Sequence, residues 1–301
     1  MARTASDTAS PRAVLDRMGI VVLRIRVLTQ RDNAHWLVET PDQRLVLRRY
    51  AQRRSRANVD YEIRLLEHLD RCGWPVPLPV APLVEAYGSF WCAFTFMPGR
   101  ALKPRSPASI QAEQRRRGRL LAALHGDMAG FAVHGQRDGW RRTDEGLVHR
   151  TSTEPADQVL ARYERSFPEQ GRILRAYHER MQERLAALIP HAPPLIVVHG
   201  DFTAWNMRYI RGSLSGIFDF EVAHLDLRVA DFALSWRGKH HEVIRGYDAV
   251  SPLDPVEHEL ITPIFWAWCL AGVIENLDAG ITNTEWSVTH LLRTELEGTA
   301  F

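Results

Sequence analysis

The chain contains Val198-His199-Gly200-Asp201-Phe202-Thr203-Ala204-Trp205-Asn206 and, soon after, Ile217-Phe218-Asp219-Phe220-Glu221. Asn206 follows Asp201 by five positions, and Asp219 follows Asn206 by thirteen. One apolar run, residues 195–198, leads into the first group, and another, residues 216–218, leads into the second. Short strands are expected near 195–198, 206–210 and 215–219, with the polar residues at their ends. An aspartate so placed can orient or deprotonate a hydroxyl. An amide oxygen and a second carboxylate can hold Mg²⁺ on the phosphates of a nucleotide. Neither piece is specific alone, because His-Gly-Asp is common in turns and Asp-Phe is commoner still. A structural turn, or a metal-dependent hydrolase using His199 and Asp201, stays open on either piece by itself. The joint spacing between two apolar strands is what points to phosphoryl transfer.

The order Asp-x-x-x-x-Asn, short hairpin, Asp-Phe is similar to that of the catalytic and metal loops of protein kinases, with His-Gly-Asp in place of His-Arg-Asp. Such a site needs a cation on the nucleotide phosphates and a carboxylate that positions it. Upstream, residues 20–28, 35–39 and 44–50 read as strands of an antiparallel meander, with Asp42-Gln43 in a turn. The third strand offers Arg48 after Val46-Leu47. Residues 57–71 form an amphipathic helix on which Glu62, Leu66 and Leu69 share one side, and Gly73 and Pro75 end it. Two surface charges on separate elements contribute little. Beside the Asp/Asn/Asp set, Arg48 and Glu62 become a candidate pair. Strand alternation turns Arg49 to the opposite face.

Pro75-Val76-Pro77-Leu78-Pro79 is a stiff connection, and residues 80–84 and 90–96 read as two more strands. After Gly99 the pattern changes to helices: residues 109–126, ending at Gly126, then 155–189, about 229–248 and about 256–297, with loops over 130–155. Residues 1–10, rich in Ser, Thr and Ala, read as loose. Strands first and helices later predict an α+β, bilobal arrangement. The expected lobes are residues 1–97 and residues 98–301.

Composition narrows the function classes. The 301 residues are 45% hydrophobic and 25% charged, an ordinary globular balance, and a net charge of +2 gives no argument for nucleic acid. Lys103 and Lys239 are the only lysines, so no lysine lies on the early strands. Cys72, Cys92 and Cys269 have no metal-like spacing and read as free thiols in a reducing cytosol. The first residues lack the apolar stretch of a secretory signal. The most apolar run, residues 261–274, has 14 positions. That is short of the ~20 needed to cross a bilayer, so a buried core helix is expected and a membrane partner is not. A cytoplasmic location follows.

Taken together, these motifs resemble the aminoglycoside phosphotransferase and choline-kinase-like family of small-molecule kinases. The likeness runs in order over most of the chain. It takes in Glu62, Leu66, Leu69, Pro75, Val76 and Pro77, then the hinge Phe96-Met97-Pro98-Gly99, then Gly118, Leu121, Leu124 and His125. It ends with His199 to Asn206 and with Asp219, Phe220, Glu221 and Asp231. The resemblance implies a kinase-like fold with an antiparallel-sheet N-lobe for nucleotide and a mainly helical C-lobe for catalysis and substrate. It implies that Asp201 is the base, that Asn206 and Asp219 are Mg²⁺ ligands, and that Arg48 contacts phosphate with Glu62 as its anchor. Backbone groups of Thr95, Phe96 and Met97 would hold the base of ATP or GTP. His199 and Asp231 would support the loop, and His125 reads as a satisfied core histidine. The chain departs from the family in two places. Arg48 stands where lysine is usual, which keeps the charge in a planar, longer group. The loop 29–34 has no Gly-rich motif, though Asn33 fits an asparagine often found there.

The implied reaction is transfer of the γ-phosphate of ATP to a hydroxyl of a small molecule, either an antibiotic, as in antibiotic resistance, or an amino-alcohol or sugar-like metabolite. A pseudokinase of the same fold is the alternative. Retention of Asp201, Asn206 and Asp219 speaks against it, since a pure binder needs neither base nor metal ligands. The short run from Asp219 to Asp231 leaves no room for a peptide-docking segment. Glu221, Asp226, Glu275 and Asp278 could line a site for a cationic acceptor, and Trp266 and Trp268 could stack on one. Surface charges and core packing are the plainer readings of these residues.

Overall fold

A computed structural model describes residues 10–30, 33–143 and 154–296. The expected loose start, residues 1–9, the tip of the 29–34 loop, much of the 130–155 loop and the last five residues of the chain lie outside the described residues. The chain divides into two compact units. The first takes in the described residues up to Ala101 together with Trp205–Asp219, and the second takes in Leu102–Ala204 and the described residues from Phe220 onward.

The first unit is built on a five-stranded antiparallel sheet. Its strands are β1 (Arg24–Gln30), β2 (Ala34–Glu39), β3 (Arg44–Arg49), β4 (Val84–Ala86) and β5 (Ser89–Thr95), in spatial order β1-β2-β3-β5-β4. Alternation gives the sheet two distinct faces. Trp36, Val38, Leu45, Leu47, Trp91 and Ala93 pack with Val14 and Leu15 of a short helix, α1 (Pro11–Arg17). The Trp36 and Trp91 rings stack with centroids 5.4 Å apart. The other face carries His35, Leu37, Val46, Arg48, Cys92 and Phe94, each opposite its partner in the register. Glu62 of the helix α2 (Arg56–Arg71) meets Arg48 on this face.

The expected strand 20–28 begins only at Arg24. Residues 18–20 instead close the end of α1, with the Met18, Gly19 and Ile20 amides donating to its last carbonyls. The cue was present in the sequence: Ser10 accepts from the Ala13 amide as N-cap, and Pro11 opens the helix. The strand expected at 80–84 is β4 at Val84–Ala86, while residues 78–80 meet β5 separately, through the Pro79–Phe94 bridge and the Val80 amide donating to the Ala93 carbonyl.

A hairpin, β7 (Met207–Ile210) with β8 (Ser213–Ile217), also belongs to this unit. A sequential cut at 97/98 therefore misplaces it. Tyr209 and Arg100 exchange backbone hydrogen bonds, the Ile217 amide donates to the Pro75 carbonyl, and the Ser215 hydroxyl donates to the Pro98 carbonyl at 2.7 Å. These bonds fasten the hairpin to the segments on either side of β4 and β5.

The second unit is mainly helical: α3 (Pro107–Ala129), α4 (Ala156–Ser166), α5 (Pro168–Leu188), α6 (Phe232–Ser235), α7 (His241–Asp248), α8 (Pro255–Asp278) and α9 (Glu285–Leu296). Two short strands, β6 (Ile196–Val198) and β9 (His224–Asp226), pair antiparallel. Helix α3 does not stop at Gly126. Leu124, His125 and Met128 are buried, and their packing outweighs the roughly 1 kcal/mol that an internal glycine costs. Gly118 lets α3 and α7 approach backbone to backbone, since a Cβ there would lie 2.0 Å from the Val243 carbonyl oxygen. The helix expected over 256–297 is two, α8 and α9. Helix α8 is long and apolar enough to cross a membrane by length and composition alone, yet 72% of its most apolar window is buried inside the protein. It serves as a core helix, with Leu260, Ile264, Phe265, Leu270 and Ile274 enclosed.

Candidate active site

In the first unit the sequence-derived residues converge on Arg48. Its Nη1 donates to Glu62 Oε1 at 2.6 Å, its Nη2 lies 3.6 Å from Asp219 Oδ1, and its Nε donates to His35 Nε2 at 2.8 Å. The guanidinium carbon sits 5.6 Å from the Tyr50 ring and 5.5 Å from the Phe94 ring. Arg48 and Glu62 are both buried, so this is an enclosed, charge-assisted pair rather than a solvated surface contact. Arg49 points to the opposite face, 5.8 Å from the Trp91 ring. His35 was not singled out from the sequence. The signal was its place directly opposite Arg48 once the turn before β3 fixes the register. Burial, and after it the Arg48 charge, push His35 down to about 3. The ring is neutral and its Nε2 is free to accept.

The hairpin brings Asn206 and Asp219 to one end of β7 and β8. Met207 pairs with Ile217, and the Phe218 amide donates to the Asn206 carbonyl at 3.1 Å. Asn206 is buried, whereas Asp219 is partly open. Asp219 holds a left-handed backbone, φ 76°, which a non-glycine residue adopts at a cost and which is found disproportionately at functional sites. An amide oxygen and a carboxylate form an all-oxygen donor pair that suits Mg²⁺, which takes few protein ligands and completes its shell with phosphates and water. Among the described residues no group of three or more His, Cys, Asp or Glu could hold a metal ion by itself. The two oxygen donors fit Mg²⁺ in type.

Of the three residues expected to hold the base, Thr95, Phe96 and Met97, Thr95 has its amide already engaged. That N–H donates to the Leu78 carbonyl, while the Leu78 amide donates to Thr95 Oγ1 at 3.0 Å. Phe96 lies under the Arg44 guanidinium, 4.3 Å from ring centroid to guanidinium carbon. Asn33 accepts the Ala51 amide on its side-chain oxygen at 2.8 Å and so ties the start of β2 to the end of β3.

In the second unit Asp231 organises the loop that carries Asp201. It is buried and accepts the His199 amide at 2.8 Å, the Gly200 amide at 2.6 Å and His125 Nε2 at 2.8 Å. Burial would push its carboxyl up, but the hydrogen bond and charge of His125, with His199, hold it below the usual aspartate value. His125 also meets the Tyr247 hydroxyl through Nδ1 at 2.9 Å, so it is a core histidine satisfied on both nitrogens. His199 is fully buried between the rings of Phe202 and Phe220, and its Nδ1 accepts the Asp201 amide at 3.2 Å. Gly200 has φ 79°, and a Cβ there would fall 2.7 Å from the Val222 carbonyl oxygen, so the turn before Asp201 admits only glycine. Arg237 is a neighbour that the sequence reading missed. Burial lowers its pKa, and the charge of Asp201 opposes that shift.

Of the acidic lining candidates, Asp226 is ruled out. It is fully buried and accepts the Thr143 amide and hydroxyl, at 2.9 and 2.6 Å, and His224 Nε2 at 3.2 Å. Trp266 is core as well, with its indole N–H donating to Thr294 Oγ1 at 2.7 Å. Trp268 is half-buried, between the rings of Phe265 and Trp286.

Known proteins resemble this chain in sequence and in fold. The model of a phosphotransferase enzyme family matches residues 24–250. A homoserine kinase of Azorhizobium caulinodans is 30% identical over 254 residues, covering 76% of this chain and 72% of that protein. A crystal structure of a thermostable mutant of aminoglycoside phosphotransferase APH(4)-Ia, in ternary complex with ADP and hygromycin B, superposes with a TM-score of 0.64 at 13% identity, covering 98% of this chain and all of that one. A microcompartment-associated aminopropanol kinase gives a TM-score of 0.54 at 16% identity, over 90% of this chain and 89% of its own.

Proposed function

This chain belongs to the phosphotransferase enzyme family, as a small-molecule kinase with an alcohol group as acceptor, and on that premise we propose that it moves the γ-phosphate of ATP to the hydroxyl of a small amino-acid or amino-alcohol substrate such as homoserine. The observation that carries the nucleotide half is the Arg48–Glu62 pair with Asp219 beside it. A buried carboxylate fixes the guanidinium, a planar cation suited to phosphate oxygens. The backbone of Phe96 and Met97 receives the base. Asn206 and Asp219 hold Mg²⁺, which when bound neutralises charge on the phosphates. Asp201 accepts the proton of the attacking hydroxyl, and the Asp231 clamp keeps its loop in one conformation. The first unit is thus the nucleotide unit, and the second carries base and acceptor.

The acceptor class rests on the homoserine kinase relative, 30% identical over 76% of the chain. An aminoglycoside is the second reading, favoured by the fold likeness to a hygromycin B complex. It is weakened by the loss of Asp226 as an acidic lining residue. The test is acceptor-dependent ADP release from Mg·ATP and Mg·GTP with L-homoserine, 1-amino-2-propanol, choline and hygromycin B. L-homoserine should give the highest kcat/KM, and Asp201→Ala should lower that turnover at least about 100-fold. ADP release driven best by hygromycin B would transfer the assignment to antibiotics. Nucleotide-induced thermal stabilisation without turnover of any acceptor would favour the pseudokinase.

A further inference from the structure

We infer that His35 is a positioning residue for Arg48, accepting on Nε2 the Nε–H that an arginine brings to this place and a lysine does not. The inference rests on the reading of Arg48 as the phosphate contact and adds the residue that lets an arginine serve there.

A lysine ends in one point of charge, and one carboxylate suffices to aim it. A guanidinium is planar and carries donors on three nitrogens, so one contact leaves it free to swing. Here two contacts on different edges fix it: Nη1 to Glu62 at 2.6 Å and Nε to His35 at 2.8 Å. His35 and Arg48 are directly opposed in the β2–β3 register, so the sheet itself sets their separation. Two fixed edges define the plane of the group and direct Nη2 to the Asp219 side, where it stands 3.6 Å from Oδ1.

The ring's chemistry matches that task. Because Nε2 accepts, Nδ1 carries the proton. Nδ1 is buried and has no hydrogen-bond partner among the described residues. A buried, unmatched N–H costs stability, so a histidine is a poor choice for this sheet face on packing grounds. Its return is the acceptor offered to Arg48.

The test is a double-mutant cycle read in KM for ATP and in kcat, with thermal unfolding recorded for each variant. His35→Leu should raise KM for ATP about tenfold with a smaller change in kcat, the size expected for one lost hydrogen bond to a charged group. His35→Gln, which restores an acceptor, should stay within about threefold of the parent. In an Arg48→Lys background there is no Nε–H to hold, and His35→Leu should shift KM by less than about twofold. Equal effects of His35→Leu in both backgrounds, or none in the arginine background, would overturn the inference. So would a Gln variant as impaired as the Leu variant. If His35→Leu does not fold with Arg48 present, the Gln variant and the lysine-background pair still decide it. Arg48→Ala separates the two claims. If it leaves KM for ATP unchanged, the phosphate role of Arg48 is wrong. If it raises KM while the cycle shows no coupling, only the role of His35 is wrong.

Discussion

Asp231→Asn tests how the Asp201 loop is held. The carboxylate is buried and accepts two consecutive backbone amides, His199 and Gly200, together with His125 Nε2. Asparagine keeps the shape but removes the charge and puts an NH₂ where one oxygen accepted. At least one amide or the imidazole then loses its acceptor in a site closed to water. Breaking a buried, hydrogen-bonded charge pair costs about 3–5 kcal/mol. At about 2–4 °C per kcal/mol for a domain of this size, the unfolding midpoint of the second unit should fall by roughly 6–20 °C. Asp231→Ala should lie at the upper end. Kinetics should follow, because the anchor precedes Asp201 by one residue, and a displacement of about 1 Å can cost about 100-fold in kcat. The pH dependence has a definite sign. The folded carboxyl lies below its ordinary value of 3.8. Its stabilisation is therefore fully present above that value and is lost as pH falls through the lower folded value. The variant should show a shallower acid-side loss of stability than the parent. Calorimetry and urea unfolding at pH 7 and across pH 2–5 measure both quantities. A variant within about 1 kcal/mol of the parent, with unaltered kcat, would refute the clamp.

Asp201→Ala should lower kcat by about 100- to 10,000-fold, the span of a general base, while leaving the ATP-induced thermal shift in place; turnover equal to the parent would remove Asp201 from the chemistry. Asp219→Ala should abolish the Mg²⁺ dependence of ATP turnover and Asn206→Ala weaken it, because a carboxylate binds Mg²⁺ more strongly than an amide. A Mg²⁺ titration unchanged in both would cancel the metal assignment. Gly118→Ala puts a methyl 2.0 Å from the Val243 carbonyl oxygen, so α3 and α7 must part. Circular-dichroism melts should show a loss of about 3 kcal/mol or more, at the severe end of overpacking; a melt like the parent's would mean that the helices separate freely.

Much of this was legible in the residues alone, and for a shared reason. Asp201, Asn206 and Asp219 are set by short-range chain geometry: a tight turn needing Gly200, then a hairpin of fixed length. Their spacing survives in the linear sequence. The faces of β3 and α2 follow from periods of two and 3.6, so the choice of Arg48 over Arg49, and of Glu62 as partner, could be made before any coordinates.

What the sequence could not decide depends on contacts between distant segments. The hairpin at Trp205–Asp219 belongs with the first unit because its backbone bonds go to Pro75, Pro98 and Arg100, and hydrophobic pattern does not encode the destination of a backbone bond. Asp226 looked like a surface carboxylate until Thr143 and His224 were found to enclose it. The Thr95 backbone was expected at the base, and folding gave its amide to the Leu78 carbonyl. His35 is an unremarkable histidine in a strand until strand pairing sets it 2.8 Å from Arg48 Nε. The sequence by itself marked which residues are candidates for the chemistry, because their order along the chain is local. Only the tertiary structure decided which polar groups were already satisfied, because a hydrogen bond depends on what folding brings within 3 Å and not on how far apart two residues stand in the chain.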